Sequence, residues 1–256
     1  MKQYEGYLID LDGTMYRGKE RILEACHFVR ALHDKGIPYL FVTNNSTKTP
    51  EQVAQHLKEF EIPADIHQVF TTSQATASFI YEKKADASVY IIGEEGLRQA
   101  MIEKGFTIKE EEPDFVIVGL DRSINYEKLA IACLAVRAGA TFISTNGDIA
   151  LPTERGFLPG NGSITSVVAV STEVAPIFIG KPESIIMEQA LKAIGTDPKK
   201  TLMIGDNYHT DILAGIRAGV DTLLVHTGVT TKEHLSKEEI QPTYVIHSLE
   251  EWMEKI

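Results

Sequence analysis

Short runs of consecutive apolar residues alternate with segments in which apolar residues recur every three or four positions, from one end of the chain to the other. The runs at 7–10, 39–43, 69–72, 89–92, 115–118, 141–144, 176–179, 201–204 and 222–225 predict strands. Between the first two, Ile22, Ala25, Cys26, Phe28, Val29 and Leu32 share one helical face, and Gly36 closes the pattern. Thr49-Pro50-Glu51-Gln52 reads as a capping box with proline in the first turn, and Ser73 is the expected cap of the following helix. Further helices are predicted over 94–104, 126–137, 164–171, 183–193 and 209–218, and Ser248 with Glu251 caps a last one. The Gly- and Pro-punctuated stretch 145–162 predicts a long loop. Strands apolar throughout, separated by amphipathic helices, predict an α/β protein whose parallel sheets are covered on both faces. A chain of 256 residues buries roughly 70–75% of its unfolded surface, so it needs no metal or disulfide to fold.

Composition narrows the function. The net charge is −11. An acidic surface repels phosphate backbones, so nucleic acid is not an expected partner. No apolar run approaches the ~18 residues of a membrane span, so no membrane partner is expected either. Cys26 and Cys133 lie in helix-like segments without metal spacing and read as two reduced core thiols. Together with an N-terminus lacking a signal-peptide core, they predict a cytoplasmic protein.

In open α/β sheets, ligands bind beyond the carboxyl ends of the strands. The first predicted strand delivers Asp10-Leu11-Asp12-Gly13-Thr14 there, the second Thr43-Asn44-Asn45-Ser46. Gly180-Lys181-Pro182 follows the strand at 176–179, and Gly205-Asp206-Asn207 follows the one at 201–204, with Asp211 inside the next helix. Carboxylates, a hydroxyl and one ammonium therefore converge on one edge. Asp10 and Asp206 are hard oxygen donors suited to Mg²⁺, which accepts one or two carboxylates and takes phosphate oxygens for the rest. Asp10 can act as a nucleophile and Asp12 as an acid and base. Phosphate-monoester hydrolysis needs an acceleration of up to about 10²¹, of which acid–base help supplies only about 10²–10⁴. Only a composite site meets that demand. Lys181 is read as a lysine on an exposed edge, so Lys181→Ala is expected to fold normally and lose turnover.

These four segments, in this order, resemble the haloacid-dehalogenase superfamily of phosphatases. Val118-Gly119-Leu120-Asp121 and Thr145-Asn146-Gly147-Asp148 are similar to the NagD-like branch, with its large α/β cap. The resemblance implies a Rossmann-like, three-layer core formed by 1–78 and 179–256, with an inserted cap at 79–178. It implies that Asp10 is the nucleophile and Asp12 the acid/base, and that Mg²⁺ takes Asp10, Asp206 and the Asp12 carbonyl. It further implies that Thr43, Asn44, Asn45, Lys181 and Asn207 hold the phosphoryl group, with Asp211 behind them orienting Lys181 or metal-bound waters. Met15-Tyr16-Arg17-Gly18 resembles the family's small flap.

The expected activity is Mg²⁺-dependent hydrolysis of small phosphorylated metabolites through an aspartyl phosphate, on sugar or acid sugar phosphates or nucleotides. In the 145–160 loop, Asn146, Asp148 and Arg155 are candidates for reading the leaving group, Arg155 by a bidentate grip on a carboxylate. The alternatives are a phospho-receiver-like signalling module and a haloacid dehalogenase on the same core. The apolar helix at 129–136 suggests a homodimer through the cap. Gly160-Asn161-Gly162 reads as a plain helix start, His209 as a surface or capping residue, and Tyr16 and Tyr208 as packing residues.

Overall fold

The computed structural model describes residues 2–256. The first elements are β1 (Gly6–Ile9), a small hairpin of β2 (Tyr16–Arg17) and β3 (Glu20–Arg21), α1 (Leu23–Asp34), β4 (Tyr39–Thr43), α2 (Pro50–Glu59) and β5 (Val69–Thr71). Next come α3 (Thr72–Lys83), β6 (Ser88–Ile92), α4 (Glu95–Glu103), β7 (Thr107–Ile108), β8 (Phe115–Val118), α5 (Tyr126–Arg137) and β9 (Thr141–Ser144). A second hairpin, β10 (Ala150–Thr153) with β11 (Gly156–Pro159), leads into α6 (Asn161–Thr172) and β12 (Ile177–Phe178). The chain then runs through α7 (Ser184–Ile194), β13 (Thr201–Gly205), α8 (Leu213–Arg217), β14 (Asp221–Val225), α9 (Lys232–Leu235) and β15 (Tyr244–Ile246). It ends in a 3-10 helix, Leu249–Lys255.

The chain divides into two compact units. One comprises Met1–Thr43, Pro50–Phe70 and Lys181–Ile256, the other Asn44–Thr49 and Thr71–Gly180. The first carries a six-stranded sheet in the order β15-β14-β13-β1-β4-β5. β1 runs parallel to both β13 and β4, with Ile9 opposite Ile204 and Phe41. From β1 the chain builds outward through β4 to one edge and later returns to build β13, β14 and β15 on the other side. The order therefore reverses between β1 and β13, the switch point at which such sheets bind ligands. Every residue of β1 is buried, which is why its run is apolar throughout rather than alternating. The core on one face joins Tyr7, Phe28, Phe41 and Trp252, with the Tyr7 and Phe28 rings edge to face at 5.7 Å.

The second unit holds a five-stranded sheet, β12-β9-β8-β6-β7, whose ladders are parallel. Its core sets Tyr90, Val116, Val118 and Phe142 against α5 and α6.

Several local expectations change. The predicted loop at 145–162 contains the β10–β11 hairpin, and α6 begins at Asn161 with Gly160 as its N-cap, three residues early. Thr71, not Ser73, caps α3: its hydroxyl accepts from Gln74 N–H while the Gln74 side chain takes Thr71 N–H. Ser73 is buried in the first turn and donates to the Ser46 carbonyl. The predicted helix at 209–218 starts as a wide π-type turn, Tyr208–Ile212. The capping box of Ser248 and Glu251 forms as read. Cys26 is buried and Cys133 half-buried, both as free thiols.

Candidate active site

Asp10 follows the last residue of β1, and Asp206 follows the last residue of β13. Both carboxylates therefore sit at the switch point. The wide turn after β13 brings in a third, since Asp211 N–H and Ile212 N–H both reach the Asn207 carbonyl, at 2.9 and 3.4 Å. Such widened turns concentrate at functional sites because they re-aim side chains a regular helix would point elsewhere. One oxygen each from Asp10, Asp206 and Asp211 lies within 4.8 Å of the others.

Lys181 reaches into this group. Its Nζ donates to Asp10 Oδ1 at 2.5 Å, to Asp211 Oδ1 at 2.7 Å and to the Val42 carbonyl at 3.0 Å. The residue is 2% exposed, so the exposed-edge reading of this lysine is corrected: all three donors are spent inside the protein. Burial works against its charge, yet Asp10 and Asp211 prevail and hold its pKa above the ordinary lysine value.

The acids are shifted upward as well, which for them favours the neutral form. Burial, then the charge of Asp211, lifts the Asp10 carboxyl well above the usual carboxylate range. The same two causes push Asp206 up to about 6. Three acids and one base leave uncompensated negative charge in a low-dielectric place. That donor set fits a divalent cation with a preference for hard oxygen ligands.

Asp206 is anchored by groups that side-chain reasoning did not find. Its Oδ2 accepts Val229 N–H at 2.7 Å and its Oδ1 accepts the Thr14 hydroxyl at 3.2 Å. The backbone closes tightly around it, because a Cβ at Gly228 would collide with the carboxylate. Gly13 faces the same carboxylate and has φ +91°, so a side chain there would be both crowded and strained. The detectable signals were the last residue of Asp10-Leu11-Asp12-Gly13-Thr14 and the glycine in Thr227-Gly228-Val229-Thr230.

Asp12 is exposed, beside the β2–β3 hairpin, and its Oδ1 accepts Gly18 N–H at 3.4 Å. Thr43 ends β4 and is buried. Asn207 caps the wide turn, its Oδ1 taking His209 N–H at 3.0 Å. His209 itself is exposed and pairs with Glu238 at 3.5 Å. Tyr16 stacks on Phe60 at 4.9 Å, and buried Tyr208 donates to the Ile240 carbonyl at 2.6 Å, so both pack rather than react.

The remaining sequence candidates belong to the second unit. Asn44 Nδ2 donates to Asp148 Oδ2 at 3.4 Å, and Asn146 Nδ2 donates to the Asn44 carbonyl at 2.8 Å. Asn45 turns its Oδ1 onto Thr47 N–H at 2.8 Å and Lys48 N–H at 3.2 Å. Arg155 is exposed in the β10–β11 turn, with its N–H on Thr153 Oγ1.

Known proteins resemble this chain along its whole length. The family profile described as haloacid dehalogenase-like hydrolase matches residues 7–107, and a second, described as HAD-hydrolase-like, matches 178–252. The 5'-nucleotidase YutF of Bacillus subtilis is 67% identical over 253 residues, 99% of each chain. An acid sugar phosphatase of Staphylococcus haemolyticus is 56% identical, over 97% of this chain and 95% of its own. The p-nitrophenyl phosphatase of Archaeoglobus fulgidus superposes with a TM-score of 0.93 at 34% identity, over 99% of this chain and 100% of its own. Two carboxylates flanking a topological switch point, a buried lysine paired with the first of them and likeness along the whole chain agree: the chain belongs to the haloacid dehalogenase-like hydrolases.

Proposed function

We propose that this enzyme is a Mg²⁺-dependent phosphatase of small phosphorylated metabolites, working through an aspartyl phosphate on Asp10. The observation that carries it is the convergence of Asp10, Asp206, Asp211 and Lys181 at one switch point. Asp10, Asp206 and the Asp12 carbonyl would hold the ion, which when bound neutralises charge on the phosphoryl oxygens. Lys181 keeps the Asp10 carboxylate oriented and adds positive charge where the phosphoryl oxygens arrive. Asp211 fixes Lys181.

In the first step an Asp10 oxygen forms a bond to phosphorus and the ester P–O bond breaks. Asp12 gives its proton to the departing oxygen. In the second step Asp12 takes a proton from water, whose oxygen attacks phosphorus, and the Asp10–phosphorus bond breaks to release inorganic phosphate. Exposed Asp12 suits a group that must exchange protons in both directions. Thr43 and its chain neighbours Asn44 and Asn45, with Asn207, are proposed to receive the phosphoryl oxygens. We further propose that 1–78 with 179–256 acts as the core and 79–178 as a cap selecting the leaving group, with Asn146, Asp148 and Arg155 as its candidate residues.

The sugar and acid sugar phosphates, and nucleotides as second choice, are supported by what the Staphylococcus and Bacillus relatives are named for. A cytoplasmic location agrees with free thiols, and among the described residues no helix is long and apolar enough to cross a membrane. Exposed Leu134 on α5 and Val170 on α6 support a homodimer through the cap, which sedimentation would show.

Phosphate release from a panel of monoesters tests the proposal. Release is expected with Mg²⁺, absent in EDTA, and lowered at least 10³-fold, in order of magnitude, by Asp10→Asn. Wild-type turnover in that variant would end the covalent mechanism. A single stoichiometric phosphorylation would instead favour a receiver module, and activity on a haloacid in EDTA a dehalogenase. In the same panel Arg155→Ala should lower kcat/KM for sugar acid phosphates alone. An equal loss on neutral sugar phosphates would refute the carboxylate grip.

A further inference from the structure

The strongest feature not absorbed by that mechanism is the segment His226–Thr230, which follows β14 and bonds to the exit of β13. Thr230 is 6% exposed. Its N–H donates to the Asp206 carbonyl at 3.1 Å, and its hydroxyl accepts Tyr208 N–H at 2.8 Å. Thr230 thus grips the chain on both sides of Asn207. Its carbonyl accepts from His226 Nδ1 at 2.9 Å, which closes the segment on itself. One residue upstream, Val229 N–H holds the Asp206 carboxylate. Asp211 is tied to the clamped point, since its Oδ2 accepts Asn207 N–H at 3.0 Å and its N–H donates to the Asn207 carbonyl at 2.9 Å.

We propose that Thr230 is a positioning residue for the divalent-cation site: by clamping the chain on both sides of Asn207 it sets the Asp206 carboxylate before the ion arrives. The β13–β14 ladder ends with Gly205 opposite Leu224. Asp206 lies one residue beyond it, where strand pairing no longer fixes the backbone. The bonds to Thr230 take over there, with a side-chain oxygen standing in for a ladder carbonyl. A carboxylate whose backbone is already ordered loses no further freedom when it takes a metal, and partners behind a ligand govern affinity in this way. The proposal rests on the reading of Asp206 as a ligand of the ion. It deepens that reading, because Thr230 then acts on ion binding and on no particular substrate.

Thr230→Val tests this. Valine keeps the branched shape and the N–H of residue 230 but removes the acceptor of Tyr208 N–H. Thr230→Ser keeps the hydroxyl and is the conservative control. Each protein is titrated with Mg²⁺ in a calorimeter, without substrate and well below its melting temperature. Thr230→Val should bind the ion about ten- to a hundredfold more weakly than the wild type, and Thr230→Ser within about threefold of it. A merely structural threonine would lower the melting temperature and leave the affinity of the folded protein unchanged. Thr230→Val binding within about twofold of the wild type therefore overturns the proposal. So does Thr230→Ser binding as weakly as Thr230→Val, which would assign the effect to the lost methyl group.

If Thr230→Val does not fold, the wild type decides by amide hydrogen exchange in metal-free buffer. The N–H groups of Tyr208, Val229 and Thr230 should be protected before any ion is added, and exchange at the rate of open loop amides overturns the proposal. A wild type that hydrolyses no monoester, yet binds Mg²⁺ more tightly than Thr230→Val, sinks the phosphatase reading and supports this one. A wild type that binds no Mg²⁺ overturns this one, whatever its turnover.

Discussion

Lys181→Ala is expected to lose stability together with turnover. The lysine is buried and joins two carboxylates at 2.5 and 2.7 Å, so its removal strands Asp10 and Asp211. Breaking a buried pair by deleting one partner costs about 3–5 kcal/mol, because the remaining charge stays desolvated. Here two acids lose their partner, and Asp206 already stands nearby. In metal-free buffer the variant should unfold well below the wild type in a thermal melt. The cause is separable from lost packing. Adding Asp211→Asn to Lys181→Ala removes one stranded charge and should recover part of the stability, while turnover stays lost; the two changes are then non-additive. A metal-free Lys181→Ala that melts with the wild type would show that water or local movement solvates the acids, and would restore the view of this lysine as an exposed catalytic group.

That correction marks where the sequence stops informing. Apolar runs revealed β1 and β13, and the helix at 126–137 with the strands at 115–118 and 141–144 agrees residue for residue with α5, β8 and β9. The reason is that both faces of these strands are covered, so burial writes itself into composition. The β10–β11 hairpin escaped notice because almost all its residues are exposed and no apolar face is imposed on it. The wide turn at Tyr208–Ile212 escaped because one extra residue in a turn shifts direction without changing residue types. Asp10, Asp206 and Lys181 were legible as strand-end residues, yet their charge balance was not. It depends on depth, and on donors such as Val229 N–H that belong to the backbone. Asn146 was legible as polar and near chemistry. Only coordinates distinguish a side chain facing substrate from one facing the Asn44 carbonyl.

The same charge balance predicts an inverted pH dependence of stability in metal-free protein. Asp206 has its pKa raised to about 6, whereas an unfolded aspartate titrates near 3.9. Between those values the folded chain binds more protons than the unfolded one, so stability falls as pH rises through the window and levels off above it. A shift of about two units corresponds to about 3 kcal/mol, an upper figure. Asp10, also raised, acts in the same direction. Groups with lowered values, such as Asp114 at about 2, contribute stability that is lost only below about pH 4. Lys181, raised above its ordinary value, keeps its contribution throughout. Hence the metal-free protein should melt at a higher temperature at pH 5 than at pH 7.5. A divalent ion binds the deprotonated acids and should reverse that order, stabilising most at pH 7.5 and releasing protons, as calorimetry in buffers of different ionisation enthalpy would read. General repulsion within a chain of net charge −11 has the same sign, and Asp206→Asn separates the two. It retains the overall charge pattern but should flatten the pH slope and abolish the metal response. An equally steep slope in that variant would assign the effect to the surface, and a melting temperature indifferent to divalent ions would leave the three carboxylates without the cation their crowding calls for.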